Sequence, residues 1–343
     1  MRKWAVIILL SLAVVGCGKK KKAKHAEAEP VETVKTETVS KPRADLIKET
    51  LVTYNAGWNA HSGDQIAGCY ASGAVFMRPG VKGSEEESVK DVLIPDIKNI
   101  FAAFPSSKMV VRRKIISEKV VVQEWYFSGT HSGTVAGIAA TNKPVGYAGI
   151  SVFSFDASGK IEREHLYWDD ATLLTQIGAL GGMKKRSAGN AGTTQTEEVV
   201  AAGANQEVTN AQNAKAFYEA VGKQDWKAVD GLLADDVVYS DVSAPEDLKG
   251  KANVGKQMIA FSKAFPDLSM APQNALAAGK YVFVEGNLAG TMKGPLGPLK
   301  PTNKNGVVHF ADVIEFNDAG KITRFTTYNS SLEFTHVFLS TGK

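Results

Sequence analysis

Phe155-Asp156-Ala157-Ser158-Gly159-Lys160-Ile161-Glu162-Arg163 returns later in the chain as Phe316-Asn317-Asp318-Ala319-Gly320-Lys321-Ile322-Thr323-Arg324. The two stretches lie 161 positions apart, and each reads as a strand, a polar Gly-containing hairpin turn and a second strand. The same offset relates Phe104-Pro105 to Phe265-Pro266, Gly129-Thr130 to Gly290-Thr291, and Thr141-Asn142-Lys143 to Thr302-Asn303-Lys304. Met109/Met270, Glu124/Glu285, Gly133/Gly294 and Tyr167/Tyr328 hold it too. One register kept without a gap from 104 to 170 identifies a duplicated domain. It is not a solenoid, whose repeats are roughly 20–50 residues long.

Working outward, the copies occupy about 42–181 and 207–343, and the Gly-, Ala-, Ser-, Thr- and Asn-rich stretch 182–206 reads as a linker. Each copy starts with an amphipathic helix (Arg43 to Asn59; Thr209 to Gly222) and a short second helix (Gly63 to Tyr70; Trp226 to Leu233). A short strand follows (Ala74 to Arg78; Val237 to Asp241), then a third helix (Glu85 to Phe104, with Pro95 expected to bend or break it; Ala252 to Phe265). The remainder is β-patterned: 109–117, 119–130, 145–156 and 160–168, with copies at 269–277, 280–291, 306–317 and 321–329. Helices followed by consecutive strands predict an α+β class. We expect two tandem cone-shaped domains, each with about three helices packed on a curved antiparallel sheet and a pocket on its inner side.

The chain has 343 residues and a formal charge of +4, but the charge is uneven. Residues 1–24 carry seven of the 40 basic residues and no acid, leaving 33 basic against 36 acidic residues elsewhere. The folded part therefore has no basic signature, and nucleic acid is excluded as an expected partner. Arg2 and Lys3 precede the apolar segment Trp4 to Val15, which is shorter than the roughly 20 residues of a membrane span. With Val14-Val15-Gly16-Cys17 after it, this leader resembles a bacterial lipoprotein signal, which implies lipidation at Cys17 after cleavage. Gly18 in place of an aspartate implies sorting to the outer membrane, facing the periplasm. Residues 18–41 read as a disordered, solvated tether. Cys69, the other cysteine, has no disulfide partner if Cys17 carries lipid, and reads as buried filler in a helical pattern.

Each half resembles the nuclear transport factor two-like, or ketosteroid-isomerase-like, cone fold, and within it the SnoaL-like (polyketide and ester cyclase) branch. In the first half the resemblance rests on Phe104-Pro105, Gly129-Thr130-His131-Ser132-Gly133, Thr141-Asn142-Lys143-Pro144 and Glu164-His165. It continues through Trp168-Asp169-Asp170 and Leu173-Leu174-Thr175-Gln176-Ile177-Gly178. In the second half it rests on Asp235-Asp236-Val237-Val238-Tyr239, Phe265-Pro266-Asp267-Leu268, Gly290-Thr291 and Gly320-Lys321-Ile322. Such folds host isomerases, cyclases and proteins that only bind, so the resemblance leaves catalysis open. In the family the acidic residue before the Leu-Leu-x-Gln-Leu-Gly segment is the general acid/base, which implies Asp169 here, with Asp170 as the alternative. His131 matches a family turn motif.

Period two on 160–169 puts Arg163, His165, Tyr167 and Asp169 on one face, and Leu166, Trp168 and Asp170 on the other. The catalytic candidates are thus Asp169, Asp170, His165 and His131, in a pocket lined by Tyr54, Trp58 and Tyr167. Each has a plainer reading. Asp169 and Asp170 suit a helix cap and first turn, His165 an exposed strand, His131 a turn, and Tyr54 and Trp58 a core. The second copy replaces His131, His165, Asp169 and Asp170 by Met292, Thr326, Ser330 and Ser331, yet keeps Tyr328, which is expected to contact a ligand there. Its Asp312, flanked in period two by Phe310 and Ile314, is either a pocket acid or a hydrogen-bonded structural residue. Gly294 to Leu299 reads as a structured loop at that pocket's mouth. The expected ligand is a small hydrophobic carbonyl compound, with cyclase- or isomerase-like acid/base chemistry in the first half; the rival is an envelope lipoprotein that only binds a ligand or a partner. No metal or cofactor is expected, since the six histidines show no paired ligand spacing. The two halves are expected to pair with each other, or the chain to form a homodimer.

Overall fold

The computed structural model describes residues 41–80, 84–182, 184–189 and 195–340. The leader, Cys17 and the tether as far as residue 40 lie outside the described residues, among which no helix is long and apolar enough to cross a membrane.

Helix α1 (Arg43–Asn59) buries Ile47, Leu51, Tyr54 and Gly57, one face at helical spacing. Gly57 is required there, because a Cβ would lie 2.8 Å from the Ile66 side chain of α2 (Gly63–Ala67). The chain continues through β1 (Tyr70–Met77), β2 (Glu87–Ser88), a π-helical turn (Val89–Leu93) and α3 (Ile94–Ala103). The helix expected from Glu85 is therefore shorter, because Glu87 and Ser88 pair with β1. Pro95 falls at the first turn of α3, where its missing N–H costs nothing, rather than breaking a helix centre. Strands β3 (Lys108–Ile116), β4 (Val120–Thr130), β5 (Pro144–Phe155) and β6 (Ile161–Trp168) follow, closed by α4 (Asp170–Ile177).

The second half repeats this order. It has α5 (Asn205–Gly222), α6 (Trp226–Leu232), β8 (Leu233–Asp241), β9 (Leu248–Lys249) and α7 (Lys251–Ala264). Strands β10 (Ser269–Ala278), β11 (Tyr281–Thr291), β12 (Asn305–Phe316) and β13 (Ile322–Tyr328) precede a short α8 (Ser331–Phe334) and a π-helical turn, Thr335–Leu339. The 161 offset survives in fine geometry. Asn142 and Asn303 both have positive φ, and their N–H groups donate to the carbonyls of His131 and Met292. Gly133 and Gly294 each press on the end of the preceding helix, where a Cβ would meet a carbonyl oxygen at 2.3 and 2.4 Å.

Each sheet is curved and mixed rather than wholly antiparallel, with β1 parallel to β6 and β8 parallel to β13. The linker contributes a strand that its composition concealed: β7 (Glu197–Val200) pairs parallel with β3 and extends the first sheet to seven strands. Glu197 meets Arg113 at 2.9 Å and Glu198 meets Lys114 at 2.9 Å.

The helices close one face of each sheet, and the other faces pack together. Ile150, Val152 and Tyr167 of the first half join Phe283, Ala311, Val313 and Tyr328 of the second in one buried cluster. Its polar contacts are reciprocal. The Tyr328 hydroxyl donates to Glu124 at 2.7 Å, and the Tyr167 hydroxyl donates to Glu285 at 3.3 Å. Arg113 holds Glu124 at 2.5 Å, and its counterpart Asn274 holds Glu285 at the same distance. The described chain is thus a pseudo-dimer made within one polypeptide.

Candidate functional site

The inner faces enclose two very different cavities: about 60 Å³ in the first half and about 590 Å³ in the second. The smaller has room for a few waters, and the larger for a molecule of several rings. The difference lies in a few side chains at the 161 offset. Trp125, Tyr147 and Trp168 fill the first cavity; Gly286, Val308 and Asn329 stand in their places in the second. Tyr147 stacks on Trp168 with ring centres 4.8 Å apart, and on Phe127 at 5.2 Å, a plug with no equivalent on the other side. Trp125 lies over its strand partner Gly149, while in the second half the pair is reversed as Gly286 and Phe310.

The first cavity's acid is Glu164. It points inward with Leu166 and Trp168, the opposite face of β6 from the one expected to carry the chemistry. Burial pushes its carboxyl up, partly offset by hydrogen bonds from Tyr70, Ser151 and Tyr54. Tyr54 and Trp58 do line this cavity, but as part of its filling: Tyr54 donates to Glu164 at 3.3 Å, and the Trp58 N–H is buried without a partner.

The other first-half candidates lie elsewhere. Asp169 is the N-cap of α4, accepting from the Thr172 N–H at 3.0 Å and the Thr172 hydroxyl at 2.6 Å. Its remaining contacts reach into the second half and the linker, from the Ser331 N–H at 2.8 Å and the Lys185 ammonium at 2.9 Å. Asp169 is thus tied up as a cap and lies outside the lining of both cavities. Asp170 is pushed up to about 6 by burial, opposed by Arg78, but lies outside the lining of both cavities. His165 and Tyr167 face the second half, where His165 Nδ1 sits 3.1 Å from Glu285. Tyr328 is likewise an interface residue, not a ligand contact. Burial pushes Glu285 up, but the bonds from His165, Asn274 and Tyr167 outweigh it and hold the carboxyl below its usual range. His131 is fully buried against Phe104, its Nδ1 accepting from the Thr141 N–H, and it fastens the turn rather than lining a pocket.

In the second half, Asp312 lies in the wall of the large cavity. It projects inward from β12 with Phe310 and Ile314, while Ala311 and Val313 face the first half. Its Oδ2 accepts from the Tyr218 hydroxyl at 2.6 Å; its Oδ1 is buried without a protein partner. Burial pushes this carboxyl up to about 7, partly offset by the hydrogen bond from Tyr218 and by the neighbouring Thr327, with the charge of Asp241 adding to the rise. Asp241, on the same wall, is also raised by burial, and accepts from the Ser243 N–H at 2.8 Å. Much of the remaining wall is apolar, from Phe217 of α5, Met258 and Phe261 of α7, and Leu296 and Leu299 of the Gly294–Leu299 loop. An unpartnered buried polar atom costs roughly 1–3 kcal/mol.

The linker supplies one more wall residue that the sequence reading missed. The Lys185 side chain is 6% exposed, and its ammonium reaches Asp169, the Ser243 carbonyl at 2.9 Å and the Ser331 hydroxyl at 2.5 Å. Glu164 was legible as the acid on the Leu166 and Trp168 face; Lys185, among glycines and serines, carried no pattern. Among the described residues no group of three or more ligating side chains has the geometry to hold a metal ion.

Comparison with known proteins agrees with this duplication. The model of the SnoaL-like polyketide cyclase family matches residues 48–177, and that of the SnoaL-like domain matches residues 214–325. A search among curated proteins finds no match. Similar solved structures include AclR from Streptomyces galilaeus, at 20% identity and a TM-score of 0.37, over 41% of this chain and 90% of that one. An NTF2-like protein from Burkholderia pseudomallei K96243 matches at 19% identity and 0.34, over 38% and 98%. A protein of ketosteroid isomerase-like fold from Catenulispora acidiphila, solved with trimethylamine, matches at 20% identity and 0.31, over 35% and 86%. With one family match in each half and a sheet, helices and inner cavity in each, the chain carries two SnoaL-like domains in tandem.

Proposed function

We propose that the protein binds a small, largely apolar molecule in the second-half cavity, and that Asp312 meets a carbonyl or similar oxygen of that molecule and exchanges a proton with it. One observation carries the reading: a buried carboxyl oxygen without a protein partner, in the wall of a cavity of about 590 Å³. Tyr218 fixes the carboxyl's orientation through Oδ2, leaving Oδ1 to address the ligand. A carboxyl at about 7 is populated both as donor and as acceptor near neutrality, which is what general acid/base work needs. The chemistry expected at Asp169 thus moves to the other copy and another strand.

The test has two stages. Nile red, a neutral apolar fluorophore with a carbonyl, should bind the full chain with a blue shift and be displaced by small ketones. Deuterium exchange at the α-carbon of 2-tetralone, followed by NMR, should then be accelerated by the wild type and not by Asp312→Asn. Absence of Nile red binding sinks the whole proposal. Binding without accelerated exchange removes the proton transfer and leaves the second reading, a binding protein without catalysis, which the same cavity supports.

The leader bears on where this takes place. Arg2, Lys3, the apolar segment and Cys17 support a lipid anchor on the bacterial outer membrane, facing the periplasm. Fractionation of cells expressing Cys17→Ala, with labelled palmitate, tests it: label retained on the variant overturns the assignment.

A further inference from the structure

His309 and Glu333 line the same large cavity, apart from Asp312, and they form an ordered pair. The Glu333 side chain is 4% exposed, and its Oε1 lies 2.6 Å from His309 Nδ1. Its Oε2 accepts from the backbone N–H of His309 at 3.0 Å. This double hold fixes the ring and places a proton on Nδ1, so that Nε2 is left as an acceptor. Facing that nitrogen, 3.1 Å away, is the hydroxyl of Ser84, which the first half supplies from the segment between β1 and β2. An account of His309 and Glu333 as structural residues needs only those two; it gives no reason for a serine 225 positions distant to meet the free nitrogen.

We propose that Ser84, His309 and Glu333 form a nucleophile–base–acid triad, assembled across the two domains at the border of the second-half cavity (His309 and Glu333 line it and Ser84 lies just outside), that cleaves an ester whose apolar part reaches into that cavity. The order of contacts is that of acyl-transfer triads: hydroxyl to Nε2, Nδ1 to a buried carboxylate. Ser84 Oγ adds to the ester's acyl carbon as its proton passes to His309 Nε2. The acyl–oxygen bond then breaks, and that proton leaves on the departing alcohol. Water, giving a proton to the same nitrogen, attacks the acyl-serine; the carboxylic acid is released and the proton returns to Ser84. The balance is ester plus water to alcohol plus acid, with no further reagent. The apolar walls favour an aliphatic or aromatic acyl group over a charged one.

The choice of substrate rests on the cavity as the ligand site, but the triad has its own readout. Full-length protein treated with a dodecyl fluorophosphonate should acquire one adduct, mapped by peptide mass spectrometry to Ser84. Ser84→Ala should remove it. His309→Gln should slow labelling by about a hundredfold or more, the span of a lost general base. Glu333→Gln, which keeps the shape but not the charge, should slow it by about tenfold or more. Thermal melts of each variant establish that it is folded; if His309→Gln fails there, the rate in Glu333→Gln decides. No adduct on Ser84 overturns the triad, as does a rate unchanged in a folded His309→Gln or Glu333→Gln. Nile red binding without an adduct overturns the triad alone, whereas an adduct without Nile red binding sustains the triad and overturns the cavity reading.

Discussion

The two halves share element order, turn geometry and even the glycines that let a loop lie on a helix end, yet one encloses about ten times the space of the other. A duplicated fold can thus keep its backbone while exchanging what fills it. In the first half Trp125, Tyr147 and Trp168 occupy the cone; in the second Gly286, Val308 and Asn329 leave it open. The buried acid also changes strand. Glu164 of β6 corresponds to Phe325, and Asp312 of β12 corresponds to Ser151. Glu164 and Asp312 thus both point inward, from different strands, but of the two only Asp312 looks into room for a ligand.

The comparison breaks most visibly if the first half's plug is removed. Trp125→Ala is expected to cost about 3–5 kcal/mol, as large aromatic truncations in cores do, read as a fall in urea midpoint. An effect under about 1 kcal/mol would mean that Trp125 is not what fills that cone. The converse change, Asn329→Trp, copies the first half into the second. It should weaken Nile red binding by at least about tenfold, equivalent to about 1.4 kcal/mol. Binding that survives would place the ligand elsewhere.

The third prediction concerns pH. Asp312 moves from an ordinary value of 3.8 to about 7 in the folded protein. The neutral form is thus favoured by folding. Its stabilisation is complete below about 4 and is lost as pH rises through about 7. Relative to Asp312→Asn, the wild type should lose melting temperature between pH 4 and 7, with little further change above pH 8. Nile red affinity should fall over pH 6 to 8 in the wild type and stay flat in Asp312→Asn, because Oδ1 loses the proton it donates. A wild-type profile parallel to the variant's would remove Asp312 from the site. The smallest effect tests the reciprocal interface: Tyr328→Phe should cost about 1 kcal/mol, and Tyr167→Phe less, given its longer contact with Glu285.

The fold was readable because the sequence states it twice. Two weak copies in one register identify elements that neither would alone. Limits appeared where a local pattern met a long-range partner. Glu197 to Val200 looks like linker until Arg113 and Lys114 are beside it. Strand β6 alternates mixed polar and apolar residues on both faces, Arg163, His165 and Tyr167 against Glu164, Leu166 and Trp168. Polarity could not tell pocket from outside, because the outside is another sheet rather than water. Asp169 fitted both a helix cap and an acid, and the Thr172 and Ser331 N–H groups take it as a cap. Asp312 was visible because its neighbours in period two are Phe310 and Ile314. The space before it was not, since that depends on residues from five strands and three helices.

The strand that the linker lends to the first sheet has a consequence for how such a molecule behaves in a crowd. An open sheet border offers unpaired backbone groups to any passing strand, including that of another copy, and growth from such borders leads to fibres. Here β7 occupies the border beside β3, and its Glu197 and Glu198 fasten it there through Arg113 and Lys114. In the second sheet the corresponding border strand is β10, beside which no further strand pairs among the described residues. That strand instead carries Pro272, which has no N–H to offer, beside an irregular register. One border is occupied and the other is interrupted, and both features disfavour edge-to-edge pairing of copies there.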